Sequence, residues 1–307
     1  HTEETLANLI ASRVRQSGGE PLNNIMCLVT PYQLHQAFKA LPVSKAKGQD
    51  GVTKADYTKD LNRNIQNLYR KMLRMSYRPG PAREVLIPKM DGNKRPIAIS
   101  NFEDKIVQKV FADILSALFE PLFKRYSFGF RPKRSCHGAL SYLHERLRKH
   151  KTRWVVDVDL KNFFNTIDHE HLMKILEKKI SDKRFLQYLR RMLKSQILRE
   201  TAAVANDTGT PQGSIVSPIL ANIFLHEVLD LWFEENFGRS GRGHLVRYAD
   251  DFVVTFKTKS LAQSFVRKLK KRLAEFSLEL NEDKTKLVHF DRTRKGSEPL
   301  NFLGFTL

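Results

Sequence analysis

Leu245-Val246-Arg247-Tyr248-Ala249-Asp250-Asp251-Phe252-Val253-Val254 sets two adjacent carboxylates inside a largely apolar run. Val, Tyr and Phe favour a pleated, half-buried backbone, and Ala-Asp-Asp suits a tight turn. The stretch predicts a β-hairpin with Asp250 and Asp251 side by side at its tip, at the edge of a sheet. Two like charges so close repel, and a cation beside them removes that cost, so the pair suggests a divalent-metal platform. Asp-Asp also occurs in plain solvated turns, so the reading depends on the other stretches.

A second acid-bearing strand is Trp154-Val155-Val156-Asp157-Val158-Asp159-Leu160, leading into Lys161-Asn162-Phe163-Phe164-Asn165. Alternation puts Asp157 and Asp159 on one face and Val156, Val158 and Leu160 on the other. A carboxylate from this strand meeting Asp250 across a sheet would make a two-metal site. In such sites, ions ~3.5–4 Å apart stabilise the attacking and leaving oxygens of phosphoryl transfer.

Further upstream, Glu84–Lys89 and Lys94–Ile99 form a hairpin pattern around Asp91-Gly92, with Lys89 and Arg95 near its tip. Two cations on a stiff arm could clamp a triphosphate, or could simply be edge-strand charges that discourage aggregation. In Tyr126-Ser127-Phe128-Gly129-Phe130-Arg131-Pro132-Lys133-Arg134-Ser135 aromatics interleave with cations. Such a loop can stack on bases and hold phosphates. Thr208-Gly209-Thr210-Pro211-Gln212-Gly213-Ser214 is either a loop that lets backbone approach a ligand or an ordinary Pro/Gly turn before a helix. The basic glycine loop Lys45–Val52 is open in the same way.

Helical spacing predicts helices over about 34–41, 61–75, 105–119 (with Asp104 as cap), 171–180, 183–198, 215–232 and 261–276. Residues 1–34 form a helical extension with a Gly18-Gly19 break.

The 307 residues carry 53 Lys+Arg against 33 Asp+Glu, a net charge of +20. Such a field attracts polyanions, and because the charge is spread along the chain, nucleic acid is expected rather than a membrane surface. No run approaches the ~20 apolar residues of a membrane span. Cys27 and Cys136 stand far apart, which argues against a disulfide scaffold or a zinc site and fits a reducing compartment. The chain begins at His1 rather than Met, as expected of a piece of a longer protein.

Six ordered motifs resemble reverse transcriptases, most closely those encoded by group II introns. They are Ile87-Pro88-Lys89 with Arg95-Pro96, Ser127-Phe128-Gly129-Phe130-Arg131-Pro132, Asp159-Leu160-Lys161-Asn162-Phe163-Phe164, Gly209-Thr210-Pro211-Gln212-Gly213, Tyr248-Ala249-Asp250-Asp251 and Phe302-Leu303-Gly304-Phe305. The resemblance implies an α+β right-hand polymerase fold, with an antiparallel palm sheet backed by helices. Fingers are expected over 35–152 and palm over 153–307, with about 180–208 returning to the fingers. A thumb would follow the Phe-Leu-Gly-Phe strand, where this chain stops, so a fingers–palm portion with the thumb absent is expected.

The resemblance further implies an RNA-directed DNA polymerase acting in the bacterial cytoplasm or an organelle matrix. Its Asp159, Asp250 and Asp251 would be catalytic and hold two Mg²⁺, with Mn²⁺ a possible substitute and the Leu160 carbonyl joining the shell. Lys89, Arg95, Phe164, Gln212 and Gly213 would bind the dNTP, Phe164 excluding a 2′-hydroxyl. Phe128, Arg131, Arg134, Leu303 and Gly304 would touch template and primer. The implied partners are an RNA template, a DNA primer, dNTPs and group II intron RNA, with a maturase role in the full-length protein. The alternatives are a non-catalytic RNA-binding splicing cofactor, a reverse transcriptase of a bacterial defence or diversity-generating system, and a nucleotide cyclase on the same kind of sheet, which gives no reason for the template loop or the +20 charge.

Overall fold

The structure, a computed structural model, describes residues 5–43, 46–88, 92, 94–149, 153–199, 202–204, 206–290 and 299–306. Residues 1–121 and 168–220 form one compact unit, and 122–167 and 221–307 a second. The strands, in chain order, are β1 (Ala82–Pro88), β2 (Lys94–Ile99), β3 (Trp154–Val158), β4 (Ile197–Arg199), β5 (Ala202–Val204), β6 (Gly243–Tyr248), β7 (Asp251–Phe256), β8 (Lys286–His289), β9 (Asn301–Phe302) and β10 (Phe305–Thr306).

The first unit is built on the helix Phe102–Phe119, in which Ile106, Val107, Val110, Phe111, Ile114, Leu115 and Leu118 are all buried. Recurrence every three to four residues gives it an apolar surface that needs partners on several sides. The helices Leu6–Gln16 and Pro31–Ala40 pack against it, and the Phe111 ring stacks on Phe185 of the helix Lys183–Leu193 at 4.4 Å. The expected cap at Asp104 is not found. The N-cap position is Asn101, and Asp104 is buried in the first turn, where its carboxylate accepts hydrogen bonds from Tyr77 Oη and the Gly80 N–H.

The sheet of this unit has the order β2-β1-β4-β5, with β1 antiparallel to β2 and parallel to β4. The helix expected over 183–198 ends at Leu193, and Ile197 and Leu198 instead pair with Ala82 and Arg83 of β1. Its start is firmly set: the Asp182 carboxylate accepts from the Arg184 and Phe185 N–H groups and also from the Met26 N–H. That last bond, with Leu22 N–H donating to Lys179 O, fastens the N-terminal segment to the unit.

The second unit is an antiparallel sheet of order β6-β7-β3-β8. One face carries the helix Cys136–Lys149, whose Leu143 and Leu147 pack with Val155, Val246 and Val253. The other carries the helix Lys259–Ala274 and the stretch from Ala221 onward, where Phe233, Phe237, Phe256 and Phe265 form an aromatic cluster. The helix expected over 215–232 begins at Ser217, is α-helical to Leu225 and continues as π-helical turns over His226–Leu231 and Glu234–Gly238. Among the described residues, no helix is long and apolar enough to cross a membrane.

Candidate active site

In the second unit the register brings the acidic stretches to one end of one sheet. Val158, the last residue of β3, pairs with Phe252, so Asp159, which follows Val158, and Asp251, which precedes Phe252, lie at the same end of the sheet. Asp251 opens β7 opposite Tyr248, so the hairpin turn is Ala249-Asp250 and only Asp250 sits at the tip. The chain past Asp159 is strapped in place: the Asp159 carbonyl accepts the Asn281 N–H at 2.8 Å, and Lys161 N–H donates to Glu279 O. Leu160, between them, is buried and bridges Leu280.

A cleft of about 530 Å³ opens at this sheet end. Asp157, Asp159, Asp251 and Asp283 line it with Lys284, Lys286 and the turn Leu303-Gly304. Four carboxylates against two ammonium groups leave the cleft locally acidic in a chain of net +20. The Asp157 carboxyl is pushed up to about 6 by burial and by Asp159, with Lys286 pulling the other way. Leu303 and Gly304 both have positive φ, +54° and +80°, the sign pattern of a two-residue type I′ hairpin turn between β9 and β10.

Hard carboxylate oxygens on a rigid sheet end are the donors a magnesium-type ion prefers. In donor type and backbone placement, Asp159, Asp250 and Asp251 therefore fit divalent metal. Among the described residues, however, no three His, Cys, Asp or Glu side chains are gathered closely enough to ligate one ion. Gathering them costs mutual repulsion that the cation itself offsets.

Three residues that the motifs did not single out hold the Ala249-Asp250 turn. Arg247 lies inside an apolar strand and is fully buried. Its Nε and Nη2 donate to the two Asp230 oxygens at 2.9 and 2.6 Å, and Nη1 donates to Asn222 Oδ1 and the Ala249 carbonyl, each at 2.9 Å. Desolvation works against the buried Asp230 carboxylate, but Arg247 and His226 hold its carboxyl below the usual range. Ala249 adopts φ +58°, a left-handed conformation that costs a residue with a side chain roughly 1–2 kcal/mol. The sequence did carry a signal for this network: an Arg in an apolar strand and an Asp in an apolar helix must each find a partner once buried.

The expected template loop lies beside the same turn, with Phe128 N–H donating to Arg247 O and Arg247 N–H to Tyr126 O, both at 2.8 Å. Phe128 itself is buried in the core with Leu143 and Phe302, so its ring faces are occupied. Arg131 is also buried and donates to the Lys124 and Ser127 carbonyls, while Arg134 donates to the Arg125 carbonyl and lies over Phe128. What the loop presents outward is Phe130, 57% exposed, and Lys133, both at positive φ. Phe164 is half-buried against the buried Phe163, with 5.5 Å between ring centroids.

The remaining expected nucleotide contacts belong to the first unit. Lys89 lies outside the described residues, as does Lys45. Arg95 is exposed on β2 opposite Ile87. The Gln212 carbonyl accepts the Ala98 N–H at 2.6 Å, so the glycine loop docks on β2. Gly213 has φ +103°, and a Cβ there would lie 2.6 Å from Ile97 Cγ2 and 2.7 Å from Ala98 O.

The antiparallel sheet with its acidic end agrees with the reverse-transcriptase fold that the six motifs imply. A family profile described as reverse transcriptase (RNA-dependent DNA polymerase) matches residues 87–307. Protein YkfC of Escherichia coli K12 is 33% identical over 304 residues, covering 87% of this chain and 80% of that protein. The group II intron-encoded protein LtrA of Lactococcus lactis is 28% identical, covering 97% of this chain, which spans 59% of LtrA. Among solved structures, apo telomerase of Candida tropicalis truncated from the C-terminal domain superposes with a TM-score of 0.56 at 16% identity, over 83% of this chain and 59% of that one. Telomerase of Candida albicans with a fragment of telomeric RNA gives 0.58 at 16%, over 81% and 49%. These two likenesses bear on the fold. The chain belongs to the reverse transcriptase (RNA-dependent DNA polymerase) family.

Proposed function

We propose that this chain is the fingers–palm portion of an RNA-directed DNA polymerase of group II intron type. The observation that carries the reading is the meeting of Asp159 and Asp251 at one sheet end, in an acidic cleft, with Asp250 in the adjoining turn. Reverse transcriptases generally use divalent metal. Here Asp159, Asp250 and Asp251 would hold two Mg²⁺ ions, Mn²⁺ substituting, with the Leu160 carbonyl as a further oxygen donor. When bound, the ions would supply positive charge for attack of a primer 3′-hydroxyl on the α-phosphate of a dNTP, with pyrophosphate leaving.

The chain's own groups supply binding and orientation. Arg95 and Lys89 hold the triphosphate, Arg through a planar fork and Lys as a point charge. By the resemblance, Gln212 and Gly213 would contact the nucleotide, and Phe164 would exclude a 2′-hydroxyl. Leu303 and Gly304, on the cleft wall, support the primer end. Template contact by the 126–135 loop falls to Phe130 and Lys133, because Phe128 and Arg131 are committed to the fold and Arg134 bonds its own loop. The +20 charge supplies general attraction to RNA, and group II intron RNA is the proposed partner in the full-length protein, with a maturase role.

Primer extension comparing RNA with DNA templates, and dNTPs with rNTPs, tests the reading. DNA synthesis on the RNA template, dependent on divalent metal and abolished by Asp159→Asn, is expected. RNA binding with no extension under any pairing of template and nucleotide would favour a splicing cofactor instead.

A further inference from the structure

We propose that Arg247, held by Asp230 and Asn222, is a positioning residue that fixes the backbone of the Ala249-Asp250 turn, from which Asp250 and Asp251 reach a shared cation. The inference rests on the proposed function and extends it to three residues that touch neither substrate nor metal.

Arg247 has five N–H hydrogens in a rigid planar fork, and the structure uses the fork on three different elements. Two of its nitrogens grip Asp230, on the π-helical turns His226–Leu231. The third grips Asn222, on the preceding α-helical turns, and the Ala249 carbonyl, two residues along its own strand. A π-helical turn in an otherwise α-helical run re-aims the side chains that follow it, and such turns recur at functional sites. Here it delivers a carboxylate to the back of the hairpin.

Asn222 extends the connection. Its Oδ1 accepts from Arg247 while its Nδ2 donates to the Gly129 carbonyl at 2.7 Å. Tyr126 Oη donates to the Asp230 backbone carbonyl at 3.1 Å. Helix, outer loop and acidic turn are thus joined through one guanidinium. A buried ion pair needed only for stability would not have to reach the carbonyl of a left-handed residue immediately before a carboxylate pair. The bond to Ala249 O reaches it, and it restricts the peptide that sets the direction of Asp250.

The test uses the whole chain with Mn²⁺ as the probe, bound ion being read by the loss of free-Mn²⁺ paramagnetic signal. Removing both charges together, Arg247→Met with Asp230→Leu, avoids leaving one buried and unpaired. This double variant is expected to bind Mn²⁺ about 10- to 100-fold more weakly, the range seen when groups supporting metal ligands are lost. Its kcat should fall similarly, with KM for dNTP held within about twofold. Arg247→Lys keeps a charge against Asp230 but lacks the fork, so a purely structural pair predicts rescue, whereas positioning predicts none.

If the double variant does not fold by circular dichroism, Asn222→Ala removes one arm of the network and leaves the ion pair. It is then expected to weaken Mn²⁺ binding in the same direction at unchanged secondary structure. Wild-type Mn²⁺ affinity and kcat in a folded variant, or full rescue by Arg247→Lys, overturns this inference alone. Wild-type protein whose Mn²⁺ binding is indifferent to Asp250→Asn overturns it together with the proposed function.

Discussion

The backbone of Gly129 passes directly over that of Ala249: a Cβ on Gly129 would overlap the Ala249 amide nitrogen and lie 2.9 Å from the Tyr248 carbonyl carbon. The loop that carries the exposed Phe130 and the turn that carries Asp250 are therefore held against each other by the absence of one methyl group. Gly129→Ala has no flexible side chain to displace, only backbone. It should push the turn away from the loop and lower primer extension by more than about tenfold, because small misplacement of reacting groups is costly. Steady-state extension at saturating dNTP checks this, and wild-type kcat would show that the contact is incidental.

Arg247 and Asp230 are both fully buried. Removing one partner leaves an unpaired charge in the core, so Arg247→Met alone should destabilise by about 3–5 kcal/mol. Adding Asp230→Leu should recover most of that loss, measured by chemical denaturation of the single and double variants.

Gly213 combines φ +103° with close contact to β2. Gly213→Ala would place a methyl group against the Ala98 carbonyl in a conformation that side chains rarely adopt. A cost of about 1–3 kcal/mol is expected, read as a lower denaturation midpoint. A midpoint equal to wild type would mean that the 209–214 loop can leave β2 freely.

How far the sequence could be read depends on which contacts decide each element. The Ala-Asp-Asp hairpin and the strand before Asp159 follow from β-branched runs and turn residues, which are local; both elements form, with the strand ending at Val158 and Asp251 opening β7 rather than sharing the tip. The core helix Phe102–Phe119 follows from its period. Ile197 and Leu198, at the end of the helix expected over 183–198, are strand because local preference is overridden by pairing with β1, a partner more than 110 positions away. Asp104 has the chemistry of a cap but is drawn inward by Tyr77 and Gly80. Phe128 and Arg131 look like an RNA-binding pair in sequence. Which aromatic in such a loop turns inward is set by the core beneath it, and here Phe128 takes that place and Phe130 does not.

Burial pushes the Asp104 carboxyl up from 3.8 to about 6, against the opposing pull of its bonds from Tyr77 and Gly80. The folded state therefore binds this proton more tightly than the unfolded chain does. Its stabilising contribution is fully present below about 3.8 and is lost as pH rises through about 6. A shift of this size corresponds to ~3 kcal/mol. The stability of Asp104→Asn relative to wild type should accordingly rise between pH 4 and pH 7. Denaturant midpoints for both proteins across that range check it, and a constant difference would contradict it.

In the proposed site Asp159, Asp250 and Asp251 act together on divalent metal. The most direct measurement is primer extension on an RNA template by Asp250→Asn, alongside its affinity for the same RNA. Mg²⁺-dependent extension is expected to be lost while RNA affinity stays close to wild type, since the charge that attracts RNA is spread along the chain. Undiminished extension by the folded variant would contradict it.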